Sequence, residues 1–348
     1  MTAEESPSPT TNPSSQTQSS SSQETSPSAS ANTNSGPTWR PSGLLQSLVA
    51  EKEAELNAFY KSIEHRPDHP LNLRLAFYSD KTPSRLSKAL KRSDGALAVV
   101  AEVKAYDLDI LQDEKIDYSK RRDITSFARD LEQAGADALL WQVDEKQYGV
   151  SPLDLERFLK IRKERVRDGG GDPNEDLGGV PIIYRDLIVH PLQIAQASVI
   201  GADAVMLVAG AALTDLTELM NCATLMGMEV VVECHDELER DYALSCGATL
   251  YYLTNRDLTT GRVVEGNSEK LRLNMPDWCV AVGGGGMGSA TDSWPLIDAG
   301  LDGVVVGKSL LQTRRQSDYI QEIQSEQKNM VTEFYRSFGY AGPPTSAS

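Results

Sequence analysis

Cysteine is scarce and unpaired in this chain: Cys222, Cys234, Cys246 and Cys279 lie far apart, with no Cys-x-x-Cys spacing. That argues against a disulfide framework or a cysteine metal site and leaves reduced, mostly buried thiols. His190 and His235 are isolated and lack the spacing of metal ligands. No apolar run reaches the ~20 residues of a membrane span, so none is expected. Positive charge is in deficit. The net charge is −16, and Glu4, Glu5, Glu24 and Arg40 are the only charges in the first 40 residues, so about −14 falls on the rest. An acidic body argues against nucleic acid and anionic membrane as partners, but not against a small anionic substrate met by local Lys and Arg. Residues 1–38 have almost no large apolar side chain. Such a segment cannot offset its chain entropy, so 1–40 reads as a disordered Ser/Pro-rich tail. Plastid transit peptides are also Ser-rich but carry Arg and avoid acids, so plastid stroma and cytoplasm both stay open.

What is present is a repeated phrase. Ala134-Gly135-Ala136-Asp137, Gly201-Ala202-Asp203, Cys246-Gly247-Ala248 and Ala299-Gly300-Leu301-Asp302 each end a helix-like stretch on glycine and run into an apolar segment. Those segments read as strands buried on both faces, the look of a parallel sheet covered by helices. With a first strand at 97–103, strands read near 138–143, 180–184, 204–208, 229–233, 249–253, 278–282 and 302–306. Helices read near 122–134, 152–165, 191–200, 214–226, 236–246, 267–273, 291–299 and 316–336. That alternation predicts a (β/α)8 barrel over 97–340, preceded by a helical extension at 41–96. In the extension an amphipathic helix places Leu44, Leu45, Leu48, Leu56 and Phe59 inward and Glu51, Lys52, Glu53 and Glu55 toward solvent. Gly169 to Asn174 reads as a flexible insertion.

Charged side chains cluster where these strands end, the face on which barrels keep their chemistry. Glu102 and Lys104 are two apart, so they share a face and can work as an acid/base pair or form a structural ion pair. Glu233 ends an otherwise apolar strand and needs a cationic partner or a site. Lys146 follows the second strand in Asp144-Glu145-Lys146, where a solvated loop lysine is the alternative. Arg185 and Arg256 could each grip an anion bidentately or pair with the adjacent Asp186 and Asp257. Gly283-Gly284-Gly285-Gly286 after strand seven and Gly307-Lys308-Ser309 after strand eight offer backbone N–H groups for a phosphate.

With these motifs in order, the chain resembles indole-3-glycerol phosphate synthase from the helix at 44 to about residue 315. The anchors are Ala101-Glu102-Val103-Lys104, Asp144-Glu145-Lys146, Arg185-Asp186-Leu187-Ile188-Val189, Val232-Glu233-Cys234-His235-Asp236-Glu237 and Asn255-Arg256-Asp257-Leu258. The resemblance implies a lyase of tryptophan biosynthesis with no metal or organic cofactor, acting on a small phosphorylated anion, with other pathway enzymes or an assembly partner as further partners. It matches Lys146 and Lys104 to the family's catalytic lysines and Glu102 and Glu233 to its acid/base carboxylates. It assigns substrate binding to Arg185, Arg256, Thr254, Gly283, Gly284, Gly285, Gly307, Lys308 and Ser309. Departures are Tyr106-Asp107 where the family has Ser-Pro, Arg185 for its lysine, Thr254 for its asparagine, and Val282-Gly283-Gly284 for its Glu-Ser-Gly. Two other readings follow from them: a catalytically degenerate barrel used for binding or assembly, and a related barrel enzyme acting on another sugar phosphate.

Overall fold

The computed structural model describes residues 41–77, 79, 82–106, 123–172, 178–212 and 215–325. The tail, Asp107, the far part of the insertion and the end of the last expected helix lie outside them. Eight parallel strands close into a barrel in sequence order: β1 Ala98–Val103, β2 Ala138–Gln142, β3 Ile182–Arg185, β4 Ala204–Val208, β5 Glu229–Cys234, β6 Leu250–Thr254, β7 Val280–Gly284 and β8 Gly303–Val306. β1 pairs with β8 as well as β2, so no edge is left open.

Alternate residues of each strand serve two cores. Val100, Leu140, Ile183, Met206, Val231, Val282 and Val305 fill the barrel, while Leu139, Trp141, Tyr184, Val205 and Leu207 pack under the helices. That double burial is why the strands read as unbroken apolar runs. The repeated phrases do two jobs. Their glycines stop the helices at positive φ, from 76° at Gly300 to 104° at Gly201. The aspartates then lace the strands at their N-terminal ends: Asp137, Asp203 and Asp302 accept the N–H of Val99, Ile182 and Ala281, each at 2.8 Å.

The extension forms three helices, α1 (Gly43–Ile63), α2 (Pro70–Ala76) and α3 (Arg85–Leu90). α3 stoppers the lower end of the barrel, with Leu86 and Leu90 inside its core. The Glu229 carboxylate accepts the N–H groups of Leu86 and Ser87 at 2.6 and 3.0 Å, meeting donors that a helix start leaves open. α1 lies at the opposite, C-terminal mouth, where Leu44 N–H reaches the Thr259 carbonyl. Lys52 does not face solvent as expected. Its side chain is 11% exposed, and its ammonium lies 2.8 Å from Asp186 and 3.6 Å from Asp144. The hydrophobic period could not reveal this, because the partners lie on the β2 and β3 loops. β3 starts at Ile182, two residues later than expected, after Gly178 and Gly179 at positive φ. The four cysteines are free thiols, Cys234 and Cys279 buried. No helix among the described residues is long and apolar enough to cross a membrane.

Candidate active site

Past the filled layers, the inward register of each strand continues into polar side chains: Val100 is followed by Glu102 and Lys104, Leu140 by Gln142, Ile183 by Arg185, and Val231 by Glu233 and His235. They meet across the mouth. Lys104 Nζ donates to Glu102 Oε2 at 2.5 Å, and Gln142 Nε2 to Glu102 Oε1 at 2.7 Å. Gln142 Oε1 accepts from Arg185 Nη1 at 2.9 Å, and Arg185 Nε and Nη2 grip both oxygens of Glu233 at 2.9 and 3.1 Å. His235 contacts Glu233 through Nε2 at 3.1 Å and Glu239 through Nδ1 at 2.8 Å.

These contacts settle the ionisation of the group. Burial alone would raise the Glu233 pKa, but Arg185 and His235 outweigh it and hold the carboxyl well below the usual range. Burial disfavours the charged His235 ring, yet Glu233 and Glu239 hold its pKa up at about 9. The Tyr252 hydroxyl is pushed up by burial, then by Glu102 and Glu233, and stays neutral.

Above the chain lies a cavity of about 470 Å³. Among the described residues its lining holds five cations (Lys104, Arg185, Arg256, Arg262, Lys308) and two carboxylates, Glu102 and Glu233. Arg256, Arg262 and Lys308 share this lining with Gly285, Gly286 and Gly307. The roof is apolar, from Leu44 and Leu48 of α1 and Leu258. Among the described residues no cluster of His, Cys, Asp or Glu could hold a metal ion.

The structure redistributes the expected binding residues. Gly285, Gly307, Lys308, Thr254 and Arg256 line the cavity. Gly283 does not: successive strand residues alternate faces, and a β-carbon there would lie 2.8 Å from Leu296 Cδ2, between sheet and helices. Gly284 faces the barrel, but a β-carbon would meet the Val305 carbonyl at 2.8 Å, and its N–H is directed at Ser268 Oγ, 3.3 Å away. The Ser309 hydroxyl donates to the Met287 carbonyl, tying the two loops together instead of facing a ligand. Arg185 was expected to position a substrate anion or to pair with Asp186; its bidentate face is on Glu233, and Asp186 takes Lys52 and Gln193. Arg256 is not paired with Asp257 either. It donates to the Gly261 carbonyl at 2.8 Å, while Asp257 accepts from Thr259 N–H and Thr260 Oγ1, both at 2.7 Å.

Lys146 sits at the rim. Asp144 caps its short helix, Glu145–Tyr148, by accepting the N–H of Lys146 and Gln147 at 3.0 Å. Tyr106, one of the departures, donates to the Glu145 and Lys146 carbonyls and ties the same turn to the end of β1. The Lys146 ammonium turns outward to Glu51 of α1, and this bond raises its pKa. It does not line the cavity. Sequence reasoning missed Gln142, Tyr252 and Arg262. Gln142 carried the signal that marked Glu233, a polar residue ending an apolar strand; Tyr252 passed as core and Arg262 as loop.

The family model for indole-3-glycerol phosphate synthase matches residues 45–323. The indole-3-glycerol phosphate synthase of Chlorobium luteolum is 30% identical over 271 residues, covering 76% of this chain and 92% of that protein. That of Ruminiclostridium cellulolyticum is 30% identical over 236 residues, covering 67% and 82%. Among solved structures, thiamine phosphate pyrophosphorylase from Pyrococcus furiosus aligns over 69% of this chain and 98% of its own at 14% identity, with a TM-score of 0.46.

Proposed function

Because the chain belongs to the indole-3-glycerol phosphate synthase family, we propose that it carries out that family's lyase reaction, converting a carboxyphenylamino-deoxyribulose phosphate to indole glycerol phosphate, CO2 and water. The observation that carries this reading is the cavity itself. Its described lining gathers Lys104, Arg185, Arg256, Arg262 and Lys308 around the backbone of Gly285, Gly286 and Gly307 in a chain of net charge −16. Guanidinium and ammonium groups beside exposed backbone N–H groups suit a phosphate and a carboxylate. The phosphate goes to the end lined by Gly285, Gly286, Gly307 and Lys308; the aryl ring goes under Leu48 and Leu258.

In ring closure the aryl carbon bearing the carboxylate attacks the ketone carbon, and Lys146 protonates the ketone oxygen as general acid. CO2 then leaves, and its bonding pair restores the aromatic ring. Dehydration follows. Lys104 protonates the departing hydroxyl, Glu102 takes the proton from the neighbouring carbon, and Glu233 stabilises the positive charge that develops between the two events. For the first step the Lys146 ammonium has to leave Glu51 and turn into the cavity.

That outward turn is the specific observation favouring the second reading, a barrel retained for binding, together with Val282 in place of the family's glutamate. Fluorescence of the indole product in a turnover assay separates the two. The catalytic reading expects product from the unmodified protein and a fall of ~10²-fold or more in kcat for Lys146→Met, which removes the proton donor and keeps the stem. No product at high enzyme concentration would leave the binding barrel.

A further inference from the structure

Among the described residues the buried ring of His235 meets only carboxylates through its nitrogens: Nε2 faces Glu233 Oε1 at 3.1 Å and Nδ1 faces Glu239 Oε2 at 2.8 Å. An ionised carboxylate accepts and cannot donate. Glu233 is ionised, since both its oxygens take Arg185 N–H groups. Glu239 Oε2 is committed as an acceptor too, because it also takes the His235 backbone N–H at 2.8 Å. A neutral imidazole has a single N–H and would leave one of these contacts without a proton. We propose that His235 is an imidazolium clamped between Glu233 and Glu239, a positioning residue that fixes Glu233 as a permanent anion beneath the cavity.

The surroundings agree from every side. Arg185 of β3 faces Glu233 and Tyr252 of β6 stays neutral, while Glu102 of β1 is kept apart from Glu233 by the Gln142–Arg185 bridge. That bridge holds only one way round: a flipped Gln142 amide would set its oxygen against a carboxylate and its nitrogen against a guanidinium. With the ring protonated, charges alternate along the described contacts, Glu239, His235, Glu233, Arg185, Glu102, Lys104. The raised His235 pKa of about 9 is the same balance seen from the proton. Glu239 is anchored in its turn by its own N–H to Asp236 Oδ1 at 2.8 Å, at the start of the helix Glu237–Ser245.

This has a consequence for the proposed reaction, and it rests on that reading. With Arg185 and His235 donating to its oxygens, Glu233 is held as a base too weak to carry protons. It acts by charge alone, and proton transfer falls to Glu102, Lys104 and Lys146.

Ring NMR of the 15N-labelled protein tests the clamp directly, since there are four histidines and the His235 signal is the one lost in His235→Asn. Both ring nitrogens should be protonated at pH 8. In Glu239→Gln, which keeps the shape and removes one charge, the ring should titrate at least about one unit lower. A neutral His235 ring at pH 8 in the folded protein, or a midpoint unmoved by Glu239→Gln, overturns the proposal. In the turnover assay, both variants should lower kcat by roughly 10- to 100-fold while KM stays within about threefold, since the ring reaches substrate only through Glu233. Folded variants with unchanged kcat refute the positioning role. If the unmodified protein makes no product, the proposed function fails and the ring spectra still decide the clamp.

Discussion

Replacing Lys52 with methionine keeps the stem and removes the charge that docks α1 on the barrel. The ammonium lies 2.8 Å from Asp186 Oδ1 and 3.6 Å from Asp144 Oδ2. At an effective dielectric of about 20 these pairs are worth roughly 6 and 5 kcal/mol gross. Desolvating the ammonium offsets several kcal/mol of that. Its pKa is nevertheless raised: burial pulls it down, and Asp186 leads the carboxylates that push it back up. Asp186 is not stranded by the change, because Leu187 N–H at 2.7 Å and Gln193 Nε2 at 2.8 Å still donate to it. The net loss is therefore at the low end for a buried pair, ~3 kcal/mol. For a domain of this size that lowers Tm by about 6–10 °C, read by calorimetry. A double-mutant cycle with Asp186→Asn should return a coupling of at least ~1 kcal/mol. A Tm shift within about 1 °C and no coupling would mean that Lys52 is solvated and that α1 is held by Leu45 and its neighbours alone.

Gly283→Ser should lower Tm, by ~1–3 kcal/mol of overpacking against Leu296, and leave KM unchanged; an improved KM would put position 283 back in the site. Gly307→Ala sets a methyl into the Glu102 carboxylate, so kcat should fall by ~10²-fold with Tm within a few degrees, and unaltered turnover would remove Glu102 from the chemistry. Stability should also track the His235 proton. The folded ring holds it up to about 9 and the unfolded chain releases it near 6.5, so its contribution is complete below 6.5 and is lost as pH rises to about 9, worth ~3 kcal/mol. Urea denaturation of the protein and of His235→Asn at pH 6.5 and 9.5 measures this, and equal pH slopes would refute it.

Strand order, barrel closure and the inward set of charges were legible because they follow from local periodicity. Two-residue spacing put Glu102 beside Lys104, and the glycine phrases marked where helices end. What stayed hidden was partner choice. Arg185 adjoins Asp186 in the chain, yet successive strand residues face opposite ways, so Arg185 finds Glu233 on β5 and Asp186 finds Lys52 on α1. The same alternation turns Gly283 away from the cavity, which a count along the strand from Val282 would have shown. The direction of the Lys146 ammonium was not legible, since it is placed by Glu51, nearly a hundred residues earlier.

The stopper and the roof come from one stretch of chain, and that orders events during synthesis. α1 and α3 leave the ribosome before any strand of the barrel does. The carboxylate that caps α3 is 143 residues downstream of Leu86, and the Thr259 carbonyl that receives α1 comes later still. Closing loops of that length gains nothing until the partners exist. The extension is therefore made long before it can dock, and until β5 is out Leu86, Leu90 and Leu45 lack the partners that bury them. Pulse proteolysis of stalled nascent chains should find the 41–96 segment cleavable in chains stopped before Glu229 has emerged and protected once Thr259 has emerged. Early protection would mean that the extension folds on its own.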